Sequence, residues 1–187
     1  MKPGRLSSAL ALAAALAGCA SSPRAVPPPL AAQFDEPYKL ASGDKLKINV
    51  FGQQNLSSSY AIEPDGSIAM PLVGRLKVSG QTSDQVRSGI ESRLKNGYLR
   101  DPNVSVEIEA YRPFFILGEV TLAGQYPYIA GMTAQNAVAI ANGFTPRADQ
   151  KKVELTRRIG DRVYKADVPL TYPIRPGDTI TVPERWF

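Results

Sequence analysis

Glu107 and Glu109 form the one pair of residues whose types and spacing suggest bond-breaking chemistry. Two carboxylates can hydrolyse a glycosidic bond without help from histidine. They lie two residues apart in an alternating stretch, so they share one strand face about 7 Å apart by strand rise. That face is the polar one, where solvated acids are ordinary, and no catalytic role is expected for them. Other chemistry is excluded by composition. The 187 residues contain no histidine and a single cysteine. Without histidine, most zinc sites and every Ser-His-Asp or Cys-His nucleophile are ruled out. One cysteine rules out an internal disulfide, a CxxC redox pair and an iron–sulfur cluster. No metal and no cofactor are expected, and the chain reads as a non-enzyme.

The remaining reactive group is the thiol of Cys19. Lys2 and Arg5 precede an apolar run, Ser7 to Ala17, and then Leu16-Ala17-Gly18-Cys19. A run of about ten apolar residues is too short for a permanent membrane helix but fits a signal-peptide core. The segment looks like a bacterial lipobox, with cleavage between Gly18 and Cys19 and lipidation of Cys19. The alternative is an ordinary secretory signal with an incidental cysteine. Ala20 and Ser21 follow, where lipoproteins held at the inner membrane carry Asp. The resemblance therefore implies an outer-membrane anchor facing the periplasm of a Gram-negative bacterium. Loss of residues 1–18 takes away Lys2 and Arg5 and no acid, so the formal charge of +5 falls to +3.

Charge along the remainder is uneven. Between Arg147 and Lys165 seven bases face three acids. Lys151, Lys152, Arg157, Arg158 and Arg162 are candidate contacts for an acidic glycan, anionic head groups or an acidic partner. The same run also reads as a solvated hairpin whose charges discourage edge pairing. Nucleic acid is not expected in this compartment.

Stepping outward, residues 19–37 hold Pro23, Pro27, Pro28, Pro29 and Pro37 and read as an extended linker behind the lipid anchor. The body reads as α+β, two small mostly-β modules, 38–111 and 112–187. In the first, Leu46, Ile48 and Val50 alternate with polar residues as a half-buried strand. Asp65-Gly66 signals a hairpin joining a strand at Tyr60 to one starting at Ser67, with a break at Gly74. Thr82-Ser83-Asp84-Gln85 has the form of a capping box, and Val86, Ile90 and Leu94 place a helix up to Lys95. Val104 to Ala110 alternates as a further strand. The second module has strands expected at 114–120, 153–158, 163–168 and 179–182, with a short helix after Thr133. Its order is compatible with a β-grasp, but strand order is not fixed by the sequence. Gly43-Asp44 and Gly177-Asp178 each open a strand and read as two copies of one turn device.

Taken in order, Tyr38-x-Leu40-x-x-Gly43-Asp44-x-Leu46-x-Ile48-x-Val50, Asp65-Gly66-x-Ile68, Pro71-Leu72-x-Gly74, Gly80-x-Thr82 and Asp101-Pro102-x-Val104-x-Val106 resemble the polysaccharide export domain of Wza-type outer-membrane export lipoproteins. Gly118-Glu119-Val120, Gly124 and Ala139-Ile140-Ala141-Asn142-Gly143 resemble the SLBB (soluble ligand-binding β-grasp) domain that follows it in that family. The resemblance implies a periplasmic or outer-membrane lipoprotein in capsular or exopolysaccharide export. It implies a homo-oligomeric ring or adaptor that passes the polysaccharide, coupled to an inner-membrane co-polymerase that regulates chain length. The alternative is a periplasmic ligand-binding or adaptor lipoprotein with no conduit role. Gly43, Asp44, Asp65, Gly66 and Gly118 are expected to be structural turn residues rather than sugar ligands. Longer members carry a C-terminal amphipathic helix that builds the pore. Its lack before Trp186-Phe187 leads to the expectation of a separate outer-membrane barrel partner. Trp186 and Phe187 are read either as a membrane or partner contact or as cover for a sheet edge.

Overall fold

A computed structural model describes Pro27, Leu30 and residues 36–186 of the chain. Alternation dictates the first sheet. Strand β1 (Lys45–Val50) buries Leu46, Ile48 and Val50 and turns the residues between them outward. It lies at the centre of a three-stranded antiparallel sheet, between β2 (Ser58–Ala61) and β5 (Val104–Ala110). Helix α1 (Ser83–Lys95) begins at the expected box: the Gln85 amide donates to Thr82 Oγ1 at 3.3 Å, and the Thr82 amide donates to Gln85 Oε1 at 3.0 Å. Those bonds satisfy donors that a helix start otherwise leaves unpaired. Val86, Ile90 and Leu94, at four-residue spacing, are fully buried and close the first core.

The hairpin expected across Asp65-Gly66 is corrected. The turn itself exists, with the Gly66 amide bonded to the Glu63 carbonyl at 2.8 Å. The strands on its two sides do not pair. Strand β3 (Ser67–Met70) pairs with β4 (Gly74–Lys77), while β2 pairs with β1. The reversal occurs at Pro71–Val73, where Leu72 takes φ 65° and Gly74 φ 74°. The Gly66 carbonyl accepts from the amides of both Val78 and Ser79 at 2.9 Å. A Cβ on Gly66 would stand 2.5 Å from Ser79 Cβ, so this glycine is needed for close backbone approach.

The second module is a five-stranded sheet in the order β7-β6-β10-β8-β9. Its strands are β6 (Phe114–Gly118), β7 (Gly124–Tyr126), β8 (Lys152–Ile159), β9 (Arg162–Pro169) and β10 (Thr179–Val182). Strands β6 and β10 run parallel and the other pairs are antiparallel. Helix α2 (Ala134–Ile140) is capped by Thr133 with Asn136 and ends before Asn142, which takes φ 62°. Ala134, Ala137 and Val138 bury its inner face in the second core. The helix between the first and last strands, over a mixed sheet, gives the β-grasp arrangement. The strand expected at 114–120 ends at Gly118, which sits opposite Val182 at φ 84°. A side chain there would drive into the Val182 carbonyl, so β6 and β10 can stay in register only with glycine.

Two observations differ from the sequence expectations around these modules. Leu30 is 0% exposed within the second core, and its carbonyl accepts from the Tyr172 hydroxyl at 3.0 Å. Leu30 therefore docks rather than acting as part of a bare linker, because burying a leucine side chain stabilises by about 2 kcal/mol. Trp186 is 93% exposed and does not cover the edge of the second module. Among the described residues, no helix is long and apolar enough to cross a membrane.

Candidate functional site

The two Gly-Asp turns share one local design. In Ala41–Asp44 the Asp44 amide donates to the Ala41 carbonyl at 3.1 Å, and the Ala41 amide donates to Asp44 Oδ2 at 2.9 Å. In Arg175–Asp178 the Asp178 amide donates to the Arg175 carbonyl at 3.1 Å, and the Arg175 amide donates to Asp178 Oδ2 at 2.7 Å. Both aspartates are buried, at 0% and 1% exposure. A buried carboxylate must be compensated by donors or by a cation, and each turn recruits an arginine for this.

Asp178 is gripped by Arg157 through two bonds, Nε to Oδ1 at 2.8 Å and Nη2 to Oδ2 at 2.7 Å. This bidentate geometry is the strong form of an arginine–carboxylate pair. It also corrects a sequence expectation. Arg157 is 3% exposed and cannot belong to an exposed anion contact. It follows Val153 and Leu155 on the inward face of β8, while Glu154, Thr156 and Arg158 take the other face.

Asp44 recruits Arg112 from the link between β5 and β6. The Arg112 amide donates to Oδ1 at 2.9 Å, and Nη1 lies 3.5 Å from Oδ2. The Arg112 side chain passes between the two turns. A Cβ on Gly43 would lie 3.4 Å from Arg112 Cβ, and a Cβ on Gly177 only 2.6 Å from its Nε. One arginine therefore fills the joint where the modules meet. Tyr38 completes it, donating to Asp44 Oδ2 at 2.7 Å and accepting from Arg112 Nη1 at 2.9 Å. Burial pushes the Tyr38 phenol far above its ordinary range, with Arg112 opposing and Asp44 adding to the rise.

A row of rings extends from this joint. Tyr38 and Tyr111 meet edge to face at 5.1 Å, and Tyr111 and Tyr128 at 5.4 Å. Such T-shaped pairs contribute about 0.5–1.5 kcal/mol each beyond area burial. The Tyr128 hydroxyl donates to the Ile174 carbonyl at 3.2 Å, and burial raises its phenol also. Two cavities flank the row. The larger, about 930 Å³, runs from Arg158 and Gly160 past Arg112 to Pro176. The smaller, about 240 Å³, is walled by Tyr111, Tyr128 and Gly131. Both are lined by Glu36, Tyr38, Arg175 and Pro176, so the two hollows adjoin along these residues in a trough between the modules. Burial, followed by the charge of Arg157, lowers the affinity of Arg175 for its proton. The trough offers ring edges and cationic groups and suits binding rather than bond breaking.

The other predicted residues lie elsewhere. Lys152 pairs with Asp167 across β8 and β9 at 2.6 Å, a contact that raises the lysine's proton affinity. Arg147 is fixed by Glu184, with Nε to Oε1 at 2.8 Å. Lys151, Arg158 and Arg162 are exposed, and of these only Arg158 faces the trough. The basic run is thus divided among ion pairs, the core and the surface. Asp65 accepts from the Ser67 hydroxyl at 2.6 Å and amide at 3.0 Å, which holds its carboxyl below the usual range. Glu107 and Glu109 are exposed on β5, with Glu107 opposite Lys47. Gly18 and Cys19 lie outside the described residues. Sequence reasoning missed Tyr111, Arg112, Tyr128 and Arg175 as a group, although the repeated Gly-Asp turn was a pointer to the joint.

Comparison with known proteins gives two consecutive matches. Residues 32–109 match the family model described as polysaccharide biosynthesis/export protein, and residues 113–167 match the SLBB domain. The chain is 37% identical over 152 residues to the exopolysaccharide production protein ExoF of Rhizobium meliloti (strain 1021), covering 75% of this chain and 34% of that protein. It is 26% identical over 132 residues to the polysialic acid transport protein KpsD of Escherichia coli, covering 70% and 24%. It is 28% identical over 185 residues to the EPS I polysaccharide export outer membrane protein EpsA of Ralstonia nicotianae (strain ATCC BAA-1114 / GMI1000), covering 80% and 48%. The chain thus spans only a third, a quarter and a half of the lengths of these relatives.

Proposed function

The chain belongs to the polysaccharide biosynthesis/export family, one of export proteins rather than enzymes, and from that premise we propose that it is an envelope component of a machine exporting a capsular polysaccharide or exopolysaccharide. The observation that carries this reading is the order of the two family matches, export domain then SLBB domain, the first spanning the first core and the second the larger part of the second core, which continues beyond it to β10. In this reading residues 1–18 are a lipoprotein signal, Cys19 carries the lipid, and residues 38–111 and 112–187 are the two working modules. The mature protein sits at the outer membrane facing the periplasm. It assembles as a homo-oligomeric ring or adaptor and works with an inner-membrane co-polymerase.

Two features support an assembling unit. The joint at Asp44, Arg112 and Tyr38 ties the modules by hydrogen bonds to a buried carboxylate, so they present a fixed surface to neighbours. The outer face of the second sheet carries Phe115 and Leu117, 41% and 47% exposed on β6. Small modules bury a low fraction of their surface, and packing between copies offsets that.

The test is a gene deletion with complementation in a polymer-producing strain. Surface polymer should vanish while polymer is retained within the envelope, and wild-type protein should restore export. Cys19→Ser should restore it poorly, with the protein released from the outer membrane. Undiminished surface polymer in the deletion strain would overturn the reading.

A further inference from the structure

We propose that the trough between the two modules binds a short stretch of acidic saccharide, with Tyr111 and Tyr128 at the apolar end and Arg158 at the cationic end. The inference rests on the export reading above and names the chemical class of polymer that the joint accepts.

Volume comes first. The larger cavity, about 930 Å³, lies at the upper end of the range for ligand sites, about 300–1,000 Å³. The smaller, tyrosine-walled cavity adjoins it at Tyr38 and Pro176, so consecutive units of a chain can reach both.

Charge comes second. Lys39, Arg112, Arg157, Arg158 and Arg175 line the larger cavity against Glu36 and Asp178. Asp44 lies beneath, bonded to Arg112. Asp178 is matched by Arg157, Asp44 by Arg112, and Glu36 by Lys39 at 3.7 Å. Arg158 stands exposed on the cavity wall at the end of β8. A guanidinium there can take a carboxylate in bidentate fashion.

Ring chemistry comes third. Tyr111 and Tyr128 pack edge to face and both line the smaller cavity, where an aromatic wall can meet the C–H side of a sugar. A neutral glycan would use only the aromatic end, and a free anion only the cationic end. An acidic saccharide uses both ends at once, and the trough brings them together.

The experiment titrates the full mature protein in detergent with tetragalacturonate, uncharged cellotetraose and inorganic phosphate. Affinity is read by calorimetry, and the site by amide chemical shifts. Tetragalacturonate should bind tightest, with shifts at Tyr38, Tyr111, Tyr128, Arg158 and Gly160. Arg158→Glu should weaken it at least about ten-fold, the effect of one lost charge-assisted pair. Arg162→Glu changes net charge equally but outside the trough, and should stay within about two-fold of wild type. Both positions are exposed, and matching melting curves would confirm that both variants fold.

The proposal is overturned if tetragalacturonate fails to bind at millimolar concentration. It is equally overturned if phosphate binds as tightly, if the two variants behave alike, or if the shifts fall outside the trough. This failure is distinguishable from failure of the export reading. Polymer retention in a deletion strain combined with an empty trough would leave export standing, and trough binding with normal export would do the reverse.

Discussion

Replacing Asp178 by alanine is expected to cost a large share of the stability of the second module. The carboxylate is 1% exposed and takes three donors: Arg157 Nε at 2.8 Å, Arg157 Nη2 at 2.7 Å and the Arg175 amide at 2.7 Å. In Asp178→Ala the Arg157 guanidinium loses the carboxylate bonded to two of its nitrogens while staying buried on the inner face of β8. Removing one partner of a buried ion pair costs about 3–5 kcal/mol, because the other charge is left uncompensated. The lost Arg175 amide bond falls within that range and is not added to it. Against a typical total of about 5–15 kcal/mol, the variant sits near the edge of folding. Removing both charges should be milder. Arg157→Met with Asp178→Ala eliminates the buried charge itself, and most of the loss should return. The assay is urea denaturation followed by circular dichroism for wild type, both single variants and the double variant, read as a double-mutant cycle. A cost below about 1 kcal/mol for Asp178→Ala, or a double variant no more stable than either single, would refute the reasoning.

Gly118→Ala should cost more than about 2 kcal/mol, since the strain of a left-handed residue adds to a collision with the Val182 carbonyl; hydrogen exchange at β10 amides should accelerate. Leu30→Ala should lower stability by about 2–5 kcal/mol, read from the urea midpoint, because this leucine is buried in the second core. Tyr38 holds its proton more tightly folded than unfolded, so its contribution is complete below the ordinary phenol value near 10 and declines as pH rises above it. The urea midpoint of wild type should therefore fall more steeply above about pH 10 than that of Tyr38→Phe.

Local signals in the sequence were reliable where the physics is local. Alternation in Lys45–Val50 and the box at Thr82–Gln85 depend on neighbours within a turn or two, and both elements form where expected. Pairing across distance was less legible. Asp65-Gly66 announces a turn but does not say which strands meet beyond it, and β3 found β4 instead of β2. The parallel pairing of β6 with β10 joins segments some sixty residues apart, beyond the reach of any local pattern.

Arg157 is the instructive miss. As part of a basic run it reads as surface, yet the alternation of Val153 and Leu155 already points it inward, and Gly177-Asp178 supplies its partner. The joint was hidden for a related reason. Tyr111 and Arg112 sit at an apparent boundary, and their role arises only when two distant turns close around one side chain.

The central claim, that polymer in transit meets this protein, is tested most directly by cross-linking in living cells. A photo-reactive amino acid is placed at Lys39, on the wall of the trough, and at Arg162 outside it, while the polymer is metabolically labelled. The account predicts labelled polymer bound to the protein after illumination, stronger from position 39 than from 162, and absent when polymer synthesis is blocked. Labelled polymer reaching the surface at the normal rate with no adduct from either position would contradict it.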